Sequence, residues 1–235
     1  MSMGEQFKLT FPQAVPPLDA LLYGAQGRAS LRVLRQWREW PKSFVALTGP
    51  VRSGVTTVLK SWAKEFEGRY LVPSDWMTLS PNEQAALLDQ PLALDDVDQV
   101  VPSNALLTVL NLSAEHNMPI VIGGHGNAAN WHFEPKDLVS RLSAATTLVL
   151  PTLDETNFPR RLRAACLRRF IDLPDETLAY VKHRLEPSYE AIETFAAALD
   201  DAMTEQQRPA TVPLARSVMH ALTDYQDKDD GADLD

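Results

Sequence analysis

The sequence predicts an α/β fold, a parallel sheet with crossover helices, followed by a small helical subdomain. Short apolar runs at 44–48, 91–94, 118–122 and 147–150 read as buried strands, and helical segments separate them. Parallel neighbours need such crossovers. A glycine-bearing loop, 49–57, joins the first run to the helix after it, and beyond Pro151 four helical segments follow with no strand among them. The expected organisation is an extended arm at 1–17, an α/β base domain at 18–151, a helical lid at 152–223 and an acidic, disordered tail at 224–235.

The arm holds three prolines and, within it, Gln6-Phe7-Lys8-Leu9-Thr10-Phe11. Alternation of Phe7, Leu9 and Phe11 has the period of a strand, so a short edge strand is one reading. The other is a docking peptide near a chain terminus, in which Gln6 bonds a pocket rim while Leu9 and Phe11 anchor in it. Residues 29–40 place Leu31, Val33, Leu34 and Trp37 near helical spacing, with four arginines between Arg28 and Arg38 on a solvated face. Trp40-Pro41 ends that helix, because the residue before a proline is pushed out of the helical region.

Next comes the loop Gly49-Pro50-Val51-Arg52-Ser53-Gly54-Val55-Thr56-Thr57. Glycine, four residues, glycine and then Lys-Ser/Thr is the arrangement that wraps backbone N–H groups around phosphates. The lysine reaches the outer phosphates and the hydroxyl holds Mg²⁺. Both glycines and Thr56 are in place here, but Val55 stands where the lysine belongs. Arg52 is a partial substitute only if it turns inward, and loop arginines usually face solvent.

Ser80-Pro81-Asn82-Glu83 reads as a helix start, with serine as cap, proline in the first turn and glutamate three residues on. The strand Leu92-Ala93-Leu94 then ends in Asp95 and Asp96. Acids at a strand end are commonly just a loop start. After a strand, glycine loop and helix they suit phosphate chemistry, the first orienting Mg²⁺ and the second the attacking water. Helices at 104–117 and 135–145 flank the third strand and lead to the fourth, and lid helices are expected at 158–170, 175–185, 188–203 and 212–222. Ligands of such sheets gather beyond the strands' C-terminal ends, where both the loop and the acids fall.

Composition narrows the function classes. With 45% hydrophobic residues the chain can bury a sizeable core. No apolar run approaches the roughly 20 residues that cross a bilayer, and no leader is expected, so the reading is a cytoplasmic protein. Cys166 is the single cysteine. Net charge is −9; the tail from Asp224 carries six Asp against one Lys, a net −5, leaving −4 for the rest. Neither value is the basic surplus of a duplex-DNA reader, so direct sequence-specific DNA binding is not expected. His116, His125, His132 and His183 show no ligand spacing with the cysteine or one another, so no metal site is expected.

Together these residues carry a family resemblance. The strand, the GPVRSGVT loop, LALDDVD, Ser140-Arg141-Leu142 before the last strand and the four-helix lid resemble the AAA+ module of the bacterial replication initiator DnaA. The resemblance spans roughly residues 6–222 and is strongest to the shorter Hda-type regulators that inactivate DnaA. It favours them through the peptide at 6–11 and through the expected lack of an N-terminal interaction domain and a helix-turn-helix reader. The resemblance implies docking on the DNA sliding clamp through Gln6, Leu9 and Phe11, and contact with DnaA. It further implies that Arg141 is presented in trans to ATP held by DnaA, completing a hydrolytic site and leaving DnaA with ADP.

Departures from the family lie at the chain's own nucleotide site. Val55 removes a cation, Ile122-Gly123-Gly124-His125 shows no evident γ-phosphate sensor, and the lid position of a nucleotide-sensing arginine is read as Pro187, with Arg184 nearby. A competent ATPase is therefore not expected. ADP binding, with Mg²⁺ only alongside nucleotide, and homo-oligomer formation stay open. Two alternatives also stay open: a nucleotide-binding switch or ATPase that tolerates Val55, and a diverged AAA+-like interaction protein with another partner.

Overall fold

The computed structural model describes residues 15–21, 23–99, 102–134 and 136–229, with side chains to residue 222. After a 3-10 turn at Leu18–Ala20 come α1 (Ala25–Arg35), β1 (Phe44–Gly49), α2 (Val55–Glu65), β2 (Arg69–Leu71), α3 (Pro73–Trp76), α4 (Pro81–Ala86), β3 (Leu92–Leu94) and α5 (Ser103–His116). β4 (Ile120–His125), α6 (Lys136–Ser143) and β5 (Thr146–Val149) complete the sheet part. α7 (Phe158–Leu167), α8 (Asp175–Lys182), α9 (Tyr189–Gln206) and α10 (Val212–Asp229) form the lid.

The strands run in the order β2-β3-β4-β1-β5, and every neighbouring pair is parallel. Alternate residues of each strand feed opposite faces, as the pleat requires. Phe44, Ala46, Leu92, Leu94, Ile120 and Ile122 pack with Trp76, Leu106, Leu110 and Leu138. Val45, Leu47, Ala93, Val121 and Leu148 pack with Leu31, Leu34, Val58, Leu59 and Trp62 on the other face. Trp62 is fully buried, gives its indole N–H to the Leu34 carbonyl at 2.9 Å and stacks on Trp40. It thereby fixes α2, the helix that follows the glycine loop. The lid has its own core of Phe158, Leu162, Ile192, Phe195, Leu199 and Leu214.

Several element boundaries differ from the sequence expectation, four of them for identifiable reasons. α1 starts at Ala25 and ends at Arg35, because Trp37–Glu39 tightens into a 3-10 turn and the Trp40 indole N–H turns back to the Val33 carbonyl at 2.8 Å. β2 is a fifth strand, too short and too exposed for a periodic signal. α7 stops at Leu167, before Phe170 with its left-handed backbone (φ 59°). α10 runs to Asp229, seven residues beyond its expected end at Leu222, since no glycine or proline interrupts the chain from Leu214 to Asp230. Ser80 caps α4 as expected, in a reciprocal pair with Glu83. Among the described residues no helix is long and apolar enough to cross a membrane.

Candidate functional site

The glycine loop leaves β1 as a tight turn, closed by the Ser53 N–H on the Pro50 carbonyl at 3.0 Å. Gly54 sits at φ 102°, which an L side chain rarely adopts, and launches α2 without a side-chain cap. A Cβ on Gly54 would also lie 2.7 Å from the Tyr23 hydroxyl. That hydroxyl donates to the Ser53 carbonyl at 2.7 Å, so a buried aromatic from before α1 is pinned to the loop. Burial pushes the Tyr23 hydroxyl well above its ordinary pKa and keeps it a neutral donor.

The other loop residues divide between core and solvent. Ser53 is fully buried and its Oγ finds no partner among the described residues. Val55 is 4% exposed and points toward β4, where a Cβ on Gly123 would come within 3.0 Å of its Cγ1. Thr56 is half-buried, whereas Thr57 and Arg52 are exposed. Arg52 does turn to the lid, but its partner there is Glu190 at the start of α9, 3.8 Å away. The lid side chain that pairs with Arg52 is thus an acid. Arg184 lies over the Tyr180 ring.

Asp95 and Asp96, at the end of β3, have separate environments. Asp95 is 2% exposed, its Oδ2 accepting from the Tyr70 hydroxyl at 2.7 Å and its Oδ1 from the Asp96 N–H at 3.0 Å. Tyr70, on β2, is therefore a site residue that the sequence did not single out; burial and then the bond to Asp95 raise its pKa. Asp96 is half-buried with a left-handed backbone (φ 51°), and its carboxyl pKa is raised first by burial and then by Asp95 and Asp98.

The pairing of β3 with β4 and of β4 with β1 gathers a further group. His125 lies opposite Gly49 in register, and its Nδ1 is 3.3 Å from Asp98 Oδ2. One donor atom each from Asp96, Asp98 and His125 fall within 4.8 Å of one another. The expectation that the histidines make no ligand group compared them only with the cysteine and one another. His125 meets carboxylates instead, one of them 27 residues away.

Arg141 lies on α6, apart from these groups in sequence, on a helix anchored by buried Leu138 and Leu142. Its side chain is 38% exposed and pairs with Asp137 one turn earlier at 3.1 Å, a surface pair of small energetic weight. Gln6, Leu9 and Phe11 lie outside the described residues.

No family model matches the sequence, and a search of curated proteins finds no match. Solved structures do match. Domain III of the Thermotoga maritima replication initiation protein DnaA superposes with a TM-score of 0.73 at 17% identity, over 87% of this chain and 95% of that one. AMPPCP-bound DnaA from Aquifex aeolicus gives 0.63 at 16% identity, over 78% of this chain and 64% of that one. The Thermotoga maritima RuvB Holliday junction branch migration motor gives 0.59 at 14% identity, over 83% and 67%. At these identities the likeness defines the fold: a parallel α/β base with a helical lid, as in the AAA+ domains of DnaA and RuvB.

Proposed function

We propose that the chain is a DnaA-related regulator of replication initiation that acts on nucleotide held by another protein. In this reading Gln6, Leu9 and Phe11 dock on the sliding clamp. The base domain contacts DnaA, and Arg141 enters its ATP site to stabilise charge developing on the transferred phosphoryl group. The conversion of DnaA-ATP to DnaA-ADP then follows without turnover by the chain itself.

The observation carrying this reading is the chemistry of the loop within a DnaA-like fold. Val55 is sealed in the core where a phosphate-facing lysine would stand, and the loop's own cation, Arg52, faces Glu190. An outer phosphate placed there would meet Glu190 from the lid and no lysine from the loop. Asp95 is held by the Tyr70 hydroxyl and the Asp96 N–H, which fix its orientation at the end of β3. These residues fit a triphosphate poorly, so no hydrolytic step is derived for this site. The half-exposed Arg141, tied only to Asp137 among the described residues, keeps donors free for a second protein's site.

The test is turnover of ATP pre-bound to DnaA in the presence of DNA-loaded clamp. The intact chain accelerates it, and both Arg141→Ala and the triple Gln6/Leu9/Phe11→Ala variant lose the acceleration by about 10³-fold or to background. Acceleration by neither the intact chain nor any variant contradicts the reading and leaves an AAA+-like interaction protein with another partner.

A further inference from the structure

The ends of β3 and β4 hold more negative charge than the surrounding residues balance. Asp95, Asp96 and Asp98 fall within four residues, and among the described residues none is paired with a lysine or arginine. Asp95 is satisfied by Tyr70 and the Asp96 N–H. The Asp96 carboxylate accepts no hydrogen bond among the described residues, and Asp98 Oδ1 is buried without a partner, although Oδ2 meets His125. A buried oxygen such as Asp98 Oδ1 costs free energy unless a cation or donor completes it.

We propose that Asp96, Asp98 and His125 form a binding site for a first-row divalent transition-metal ion. Their donor atoms lie within 4.8 Å of one another, and donors around a tetrahedral ion at about 2.1 Å lie about 3.4 Å apart, so side-chain rotation of an ångström or so closes the set. One imidazole and two carboxylates suit Zn²⁺ or Mn²⁺ better than Mg²⁺ or Ca²⁺, which favour oxygen alone. Three protein ligands leave at least one position for water.

The backbone is prepared for this arrangement. His125 is held by its strand register with Gly49 and by the Trp131 indole N–H on its carbonyl at 2.8 Å. Gly124 makes room for Asp98, since a Cβ there would lie 2.7 Å from Oδ1. The site does not use Val55, Thr56 or Asp95, and it stands or falls independently of the action on DnaA.

The experiment is calorimetric titration of Zn²⁺ alone, then Mn²⁺ and Mg²⁺ alone, into the full chain freed of metal and of any histidine tag, without nucleotide. The site predicts one Zn²⁺ per chain, Mg²⁺ binding far weaker, and affinity lowered about 10-fold or more in Asp98→Asn and in His125→Gln. Gly124→Ala weakens binding as well, and His183→Gln leaves it unchanged. Matching melting curves in chelator separate lost binding from lost folding, and half-exposed His125 is the safer variant on that count. Absence of stoichiometric binding overturns the proposal, as does binding undiminished in His125→Gln. Binding that requires ADP or ATP also overturns it, because the cation then belongs to the nucleotide.

Discussion

At the end of β1 the chain draws Tyr23, Ser53 and Val55 out of water, whereas at the ends of the neighbouring β4 and of β3 it leaves Asp96, Asp98 and His125 partly in it. Both regions lie on the edge of the sheet where ligands of such folds gather. The first has the packing of a core: an apolar side chain toward β4, a tyrosine bonded to the loop, and a glycine with no space for a Cβ. The second has the character of a polar site, where burial first and then the neighbouring carboxylates of Asp95 and Asp98 raise the pKa of Asp96. A phosphate-loop outline in sequence therefore does not define the chemistry of the edge. At the lysine position this chain puts Val55 into the core, so the loop there has the character of packing.

Restoring the lysine tests the contrast most severely. Val55→Lys places an ammonium against Gly123 and Leu59, and an uncompensated buried charge is expected to lower stability on the order of 3 kcal/mol. Millimolar ADP should recover part of that loss by supplying phosphate, as seen in melting temperature. An unchanged melting temperature would show that Val55 is not sealed in.

A smaller effect is expected from Tyr23→Phe. It removes the donor to the buried Ser53 carbonyl and should cost about 1 kcal/mol in urea unfolding, with the slope m unchanged.

The acidic side should respond in the opposite direction. Because the folded-state pKa of Asp96 is raised, its favourable contribution is complete below the unfolded carboxylate pKa and is lost as pH rises through the folded value. Asp96→Asn should therefore raise the melting temperature near pH 7, by roughly 2 °C. The gain should vanish as pH falls below the ordinary carboxylate range. A loss of stability near pH 7 would mean that Asp96 has a cationic partner.

Much of this was legible in sequence where signals were local. The runs Phe44–Gly49, Leu92–Leu94, Ile120–His125 and Thr146–Val149 are apolar enough to read as strands, and the helices between them imply parallel pairing. Arg69-Tyr70-Leu71 was not legible, being three half-buried residues on the sheet edge, and with it went the tyrosine that holds Asp95. Tyr23 belongs to no periodic pattern, and only tertiary packing brings it to Ser53 across 30 residues. The lid's contribution depends on how the start of α9 packs against the loop, where Glu190 meets Arg52, and residue spacing does not encode that. His125 and Asp98 meet through strand order, which residue spacing along the chain does not encode.

The most direct test of the central claim, that this chain acts on another protein's nucleotide and does not turn over its own, is steady-state ATP hydrolysis by the purified full chain with Mg²⁺, beside Asp95→Ala. The account predicts release of phosphate indistinguishable from the no-protein blank for both. Saturable hydrolysis by the intact chain that disappears in Asp95→Ala would contradict it, and would make the protein a working AAA+ ATPase that tolerates Val55.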